Sequence, residues 1–367
     1  MPAASSSSVS VQRQDTNSTL RININLNTTS TSDVSMDYST DDGSAKGGKD
    51  FKAASGKITI PAGMKTGYVD LLILGDSLRQ PQQQFSLELS NPVNCTFSNS
   101  KVNISILNDG TYLPTDTSGY SSPLSYPGYT LQWSDEFNDR TVNAGNWKFE
   151  TGTGNSGWGN NELENYTSRQ QNVFVSDGML VIEARQESYS GSNYTSARMI
   201  SQGLQEFQYG HIDIRAKLPV AKGMWPAIWM LGSNISQVNW PACGEIDIME
   251  LVGQYPSRCT STLHWANNAG DDTYKNKDYT LLSSDFSQQF HVFSADWQKD
   301  TVSFSVDGNP FLTISNSDIA PYNNPFNSPF FFIMNVAVGG NWPGPPDNTT
   351  AFPQRMFVDY VRVFAKQ

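Results

Sequence analysis

Three carboxylates sit in an otherwise apolar run, Gly244-Glu245-Ile246-Asp247-Ile248-Met249-Glu250. Ile246 and Ile248 alternate with Glu245 and Asp247, the period-two pattern of a strand with one wet face and one buried face. Continued strictly, that alternation sends Glu250 into the core, where an unpaired carboxylate is costly. One extra residue, a β-bulge near Met249, returns Glu250 to the acid face. Glu245 and Glu250 then behave as residues four strand steps apart, roughly 13 Å between Cα atoms at about 3.3 Å per step. Two inward-leaning side chains reaching about 4 Å each narrow this to roughly 5–6 Å, close to the roughly 5–5.5 Å of a retaining glycosidase. Asp247, between them, raises a neighbour's pKa by its charge and can orient a nucleophile through its oxygens. Taken alone, the three acids equally suit a solvated acidic strand or a cation site.

Indoles surround the acids. Trp225 and Trp229 lie in Met224-Trp-Pro-Ala-Ile-Trp-Met230, Trp240 in Asn239-Trp-Pro-Ala-Cys243, and His264-Trp265 on what reads as the next strand. Aromatic faces stack on the apolar faces of sugar rings, so tryptophan beside carboxylates suits a polysaccharide cleft. For Trp229 a core position is the competing expectation.

Four motifs then carry a resemblance: Trp240-Pro-Ala-Cys-Gly-Glu-Ile-Asp-Ile-Met-Glu250, Gly157-Trp-Gly-Asn-Asn-Glu-Leu163, Asn335-Val-Ala-Val-Gly-Gly-Asn-Trp-Pro-Gly344 and Val358-Asp-Tyr-Val-Arg-Val363. From about Tyr129 to Phe364 the chain resembles glycoside hydrolase family 16, and within it the laminarinase (endo-β-1,3-glucanase) branch. The resemblance implies a concave, concanavalin-like β-jelly-roll sandwich with a long cleft. It implies Glu245 as nucleophile, Glu250 as acid/base and Asp247 as their assistant. Asn161, Glu162, Arg198, Trp225, Trp229, Trp240, His264, Asn335 and Trp342 become substrate-binding candidates; for Arg198 a structural ion pair is the alternative. A structural calcium ion is implied at Glu136, the carbonyl of Gly178 and Asp359, whose oxygens suit that cation. The chemistry itself needs no cofactor. The expected substrate is a β-1,3-glucan of laminarin type, with mixed-linkage glucan or a red-algal galactan as the enzymatic alternatives and a non-catalytic β-glucan-binding protein as the other class. Loops near Gly152–Tyr166 and Ala266–Leu282 are expected to set that choice.

The rest of the chain must position these groups. Its 367 residues are comfortable for two domains, and 12% aromatics support packed cores. The net charge of −11 speaks against nucleic acid and against anionic polysaccharides, favouring a neutral glucan. No run is apolar enough for a membrane span, and Met1-Pro-Ala-Ala followed by four serines contains no secretion signal. A secreted or cell-surface monomer is the expectation. Cys95, Cys243 and Cys259 are expected as free thiols: with Glu250 facing Cys259, the hairpin register keeps Cys243 away from it.

Strands punctuated by Gly, Asn and Pro, without convincing helices, predict an all-β chain. After a disordered lead-in of about eight residues, seven short alternating strands between Val9 and Ile106 predict a β-sandwich over residues 1–110. Asp37-Tyr-Ser-Thr-Asp-Asp-Gly-Ser-Ala45, Lys49-Asp-Phe51, Ser55-Gly-Lys-Ile-Thr-Ile60 and Leu89-Ser-Asn-Pro92 resemble a Calx-β domain. Where such domains carry an acidic run, Gly75–Gln84 has one Asp and no Glu, so calcium is not expected there and a spacer role is. Residues 111–128, rich in Pro, Ser and Gly, read as a linker, and 129–367 as the jelly roll with many strands in two stacked antiparallel sheets.

Overall fold

The computed structural model describes residues 1–14, 16–75, 82–107, 113–139 and 141–367 and divides into two compact units, Met1–Pro114 and Thr115–Gln367. In the first unit, Thr66–Ile73, Ser18–Leu26, Ala3–Ser5 and Thr96–Phe97 form one sheet in that order. Val9–Gln12, Lys101–Leu107, Gln83–Val93, Val34–Asp41 and Ser55–Ile60 form the other. Alternation makes these strands: in Ser18–Leu26, Ile22, Ile24 and Leu26 are buried while Arg21, Asn23 and Asn25 are exposed. The buried set meets Leu87 and Ile104 in one core, where Phe51 stacks on Phe85 at 3.9 Å.

The lead-in differs from expectation. Ala3–Ser5 is a strand, paired with Ser18–Leu26 through Ala4 and Leu26, and Ala4 is fully buried. One small inward side chain leaves no apolar run to read. Residues 76–81 of the Gly75–Gln84 stretch lie outside the described residues.

The second unit stacks two sheets. The eight-stranded sheet runs Lys148–Glu150, Arg198–Ile200, Phe330–Val338, Met224–Gly232, Glu245–Leu251, Arg258–Ala266, Asp272–Thr280, with Glu206–Phe207 beside Phe330–Val338. The ten-stranded sheet is centred on Gln354–Lys366, flanked by Gly210–Lys217 on one side and by Met179–Tyr189 and Tyr129–Asp135 on the other. Ile246 and Ile248 of the first sheet share a core with Ile212, Ile214, Val361 and Val363 of the second. Phe330–Val338 is buried along its whole length because both of its faces are covered. Phe332, Met334 and Val336 enter the main core, and Phe331 and Ile333 join Ile200, Leu231 and Cys243 in a smaller cluster. The α-helices among the described residues are single turns, Ile235–Val238 and Asn316–Ile319.

Two stretches differ from their sequence reading. Asp272–Thr280, expected within a loop, pairs residue for residue with Arg258–Ala266. Its side chains are almost all polar, so no buried face announces it. The second is the linker: residues 115–128 lie against the second unit. Arg215, nearly fully buried, donates to the carbonyls of Tyr120 and Thr117 at 2.6 Å each. The hydroxyl of Tyr126 donates to buried Asp213 at 2.6 Å, and the backbone N–H of Ser122 to the Tyr360 hydroxyl at 2.8 Å. Buried charges in Gly210–Lys217 require partners, and this strap supplies them.

Tyr126→Phe removes one charged-acceptor bond from the strap. We expect it to lower the stability of the second unit by about 1.5–3 kcal/mol in urea denaturation; an unchanged midpoint would show that the strap does not anchor the sheet.

Candidate active site

The acid strand is bulged. Against Met224–Gly232, Met249 faces Ile228 and Asp247 faces Trp229, leaving Ile248 over. Against Arg258–Ala266, Asp247 faces Thr262 and Glu250 faces Thr260, so three steps on one strand match two on the other. Ile248 and Met249 both enter the core, and Glu245, Asp247 and Glu250 all line one cleft of about 610 Å³. His264 stands opposite Glu245, as expected. Cys259 does not face Glu250: it faces Leu251, because the bulge advances the register by one residue. All three cysteines are free and buried.

Indole N–H groups hold the two glutamates. Trp225 Nε1 donates to Glu250 Oε1 at 3.1 Å, and Trp240 Nε1 to Glu245 Oε2 at 2.7 Å. The Trp240 ring itself is 47% exposed, which leaves its face free for a ligand. Trp342, also exposed, stands edge-on to Trp225 at 5.5 Å. Trp229 is half-buried and lines the cleft, with Nε1 donating to Asn335 Oδ1 at 2.8 Å. Asn335 passes the chain on to the Tyr166 hydroxyl at 3.0 Å, which donates to Glu162 Oε2 at 2.9 Å. Arg198 combines an ion pair with a place in the cleft wall. It pairs with Glu150 at 2.6 Å and lines the cleft with its guanidinium between the Trp158 and Trp229 rings, 4.7 and 4.8 Å from their centroids.

Asn161 does not reach the cleft. The turn Gly157–Asn161 is left-handed at Gly157, Trp158, Gly159 and Asn161, and it directs Trp158, Asn160 and Glu162 into the cleft. Asn161 instead donates to Asn341 Oδ1 at 2.8 Å, tying two loops together. Gly157 is required there, since a Cβ would lie 2.5 Å from the backbone nitrogen of Glu162. Sequence reasoning also missed Trp158, Asp272, Tyr274 and Asn276 as lining residues. Trp158 sat inside a motif already singled out; the other three belong to the strand read as a loop.

Burial pushes all three acids up. For Glu245 the neighbouring Asp247 charge adds to the shift, with His264 opposing it. Asp247 rises through burial and the Glu250 charge. Glu250 is pushed up to about 7 by burial and Glu245, against the pull of His264 and the Trp225 bond. At about 7, Glu250 can hold a proton near neutral pH, as a proton-donating acid must.

The expected calcium ligands lie elsewhere. Both oxygens of Glu136 accept from Arg362, at 2.8 and 2.7 Å, and Asp359 Oδ2 accepts from Arg215 at 2.7 Å. Three of the four carboxylate oxygens thereby accept from arginines.

The family model for glycosyl hydrolases family 16 matches residues 160–362, and that for the Calx-beta domain residues 4–110. The chain belongs to glycosyl hydrolases family 16. Its family 16 unit is 38% identical over 261 residues to glucan endo-1,3-beta-glucosidase A1 of Niallia circulans, which aligns over 65% of this chain and 38% of that protein. A beta-glucanase of Rhodothermus marinus is 40% identical over 248 residues, covering 65% of this chain and 86% of the relative. The chain thus spans little more than a third of the Niallia protein's length. The laminarinase catalytic domain of Thermotoga maritima MSB8 superposes with a TM-score of 0.61 at 47% identity, over 65% of this chain and 99% of that one. The family 16 unit shares that jelly-roll fold.

Trp225→Phe in the family 16 unit keeps an aromatic ring and removes the donor that steadies ionised Glu250. The carboxyl then titrates above about 7 when followed by carbon NMR, since losing a bond to the charged form raises an acid's pKa; a fall or no change would mean the indole N–H does not tune it.

Proposed function

We propose that the family 16 unit cleaves β-1,3-glucosidic bonds inside laminarin-type glucans with retention of anomeric configuration. The observation that carries this is the bulge, which turns Glu245 and Glu250 onto one face of a cleft walled by indoles. In this reading Glu245 attacks the anomeric carbon while Glu250, protonated near neutral pH, gives its proton to the departing oxygen. Glu250 then takes a proton from water, which hydrolyses the glycosyl-enzyme intermediate. A nucleophile must be ionised, although burial raises Glu245 too. The Trp240 N–H favours its carboxylate, and His264 on the facing strand pulls in the same direction.

The lining supports a neutral polymer. Arg198 is its one permanently charged cation among the described residues, it is already paired with Glu150, and the cleft holds Glu162 and Asp272 besides the three central acids. A sulfated galactan would meet repulsion there. A polysaccharide is met outside the cell, which supports secretion or surface attachment. No helix among the described residues is long and apolar enough to cross a membrane. The decisive measurement is reducing-end release from laminarin, mixed-linkage glucan, agarose and carrageenan, beside a Glu245→Gln control. Release from laminarin that falls roughly 10⁴-fold or more in the variant sustains the reading. Preference for a galactan would replace the substrate, and activity that survives the variant would remove Glu245 as nucleophile.

For calcium at Glu136, Gly178 and Asp359, the proposal rests on oxygen donors alone and gives the ion a structural role, with no step of the reaction passing through it. A melting temperature several degrees higher with calcium than with EDTA sustains it; equal melting temperatures discard it.

A further inference from the structure

The reaction just described leaves His264 and Asp272 without a part. His264 Nδ1 lies 3.0 Å from Asp272 Oδ1, and its Nε2 lies 3.4 Å from Asp247 Oδ2. A carboxylate beside Nδ1 fixes the ring and turns Nε2 toward Asp247. The oxygen it faces, Asp247 Oδ2, is buried and without a hydrogen-bond partner. A buried carboxylate oxygen left unmet calls for something positive beside it. Glu245 supplies a third donor: one ligand atom from each of Glu245, Asp247 and His264 falls within 4.8 Å of the others.

We propose that His264, Asp247 and Glu245 bind a divalent transition metal of the zinc class, with Asp272 as the carboxylate that orients His264. Ligands at about 2.0–2.1 Å in a tetrahedron stand about 3.3 Å apart. The His264–Asp247 spacing of 3.4 Å already matches, and Glu245 completes the set by turning its side chain. An imidazole with two carboxylates suits zinc or copper better than calcium or magnesium, which take oxygen ligands in larger number. Three protein ligands leave the fourth position open to the cleft. Because the metal would occupy the Glu245 lone pair, it acts as a reversible inhibitor, removed by a chelator.

Binding is measured without turnover, so this inference and the glucan reading fail separately. Isothermal titration of the full chain with zinc chloride is expected to show one site per chain with a sub-millimolar dissociation constant. Cobalt(II) in its place is expected to give the visible bands of a tetrahedral site. His264→Gln should abolish both. Asp272→Asn, on an exposed stretch of an edge strand, should weaken zinc about 10–100-fold with the melting temperature unchanged. No zinc binding up to millimolar concentration, or binding that both variants leave intact, overturns the site. Binding that leaves glucan hydrolysis undiminished overturns the inhibitory role.

Discussion

One extra residue between Asp247 and Glu250 is the constraint on which the site depends. Without it, a period-two strand would bury Glu250 in the core and turn Met249 out into the cleft. The bulge reverses both placements, and its cause is simple. Met249 gains burial in the core and Glu250 regains donors and solvent, so each side chain is better placed with the ladder broken than with it intact. The same step resets the pairing with the next strand, which is why Glu245 faces His264 while Cys259 slides to Leu251.

Crowding carboxylates into a half-dry cleft is destabilising unless donors meet them. The tryptophans serve here twice over. Their N–H groups reach Glu245, Glu250 and Asn335, while the exposed Trp240 and Trp342 rings offer apolar faces to a ligand. At one end of the cleft a line of hydrogen bonds from Trp229 through Asn335 and Tyr166 to Glu162 ties the lining to the buried sheet. Arg198, clamped by Glu150 and sandwiched by two indoles, is fixed in the same way. Preorganisation of this kind lets polar groups act on a ligand without first reordering.

On the other sheet the same rule governs the strap. Arg215 and Asp213 are too deeply buried to be met by water, and they find partners in a Pro- and Ser-rich segment that lacks any apolar pattern of its own. Composition alone makes residues 115–128 a linker; their backbone carbonyls and one tyrosine hydroxyl make them part of the second unit. Arginines likewise take both carboxylate oxygens of Glu136 and one of Asp359.

Alternation and burial cost were enough, from sequence, to place seven strands of the first unit, the all-β character of the second, the bulge and the acid face. These are local properties: each depends on which neighbours along the chain are apolar and on the expense of hiding one charge. The aromatic setting of the acids was legible for the same reason, since Trp225, Trp229 and Trp240 lie close to them in the chain. Only the folded molecule decided what depends on distant partners. Ala3–Ser5 becomes a strand because Leu26 and Phe97 lie beside it, and Asp272–Thr280 because Arg258–Ala266 does. Asn160 rather than Asn161 faces the cleft because a left-handed turn reverses their directions. His264 acquires Asp247 on one nitrogen and Asp272 on the other only when three strands align. Periodicity records which face a residue takes, whereas register and turn handedness, set by contacts across the fold, determine what that face meets.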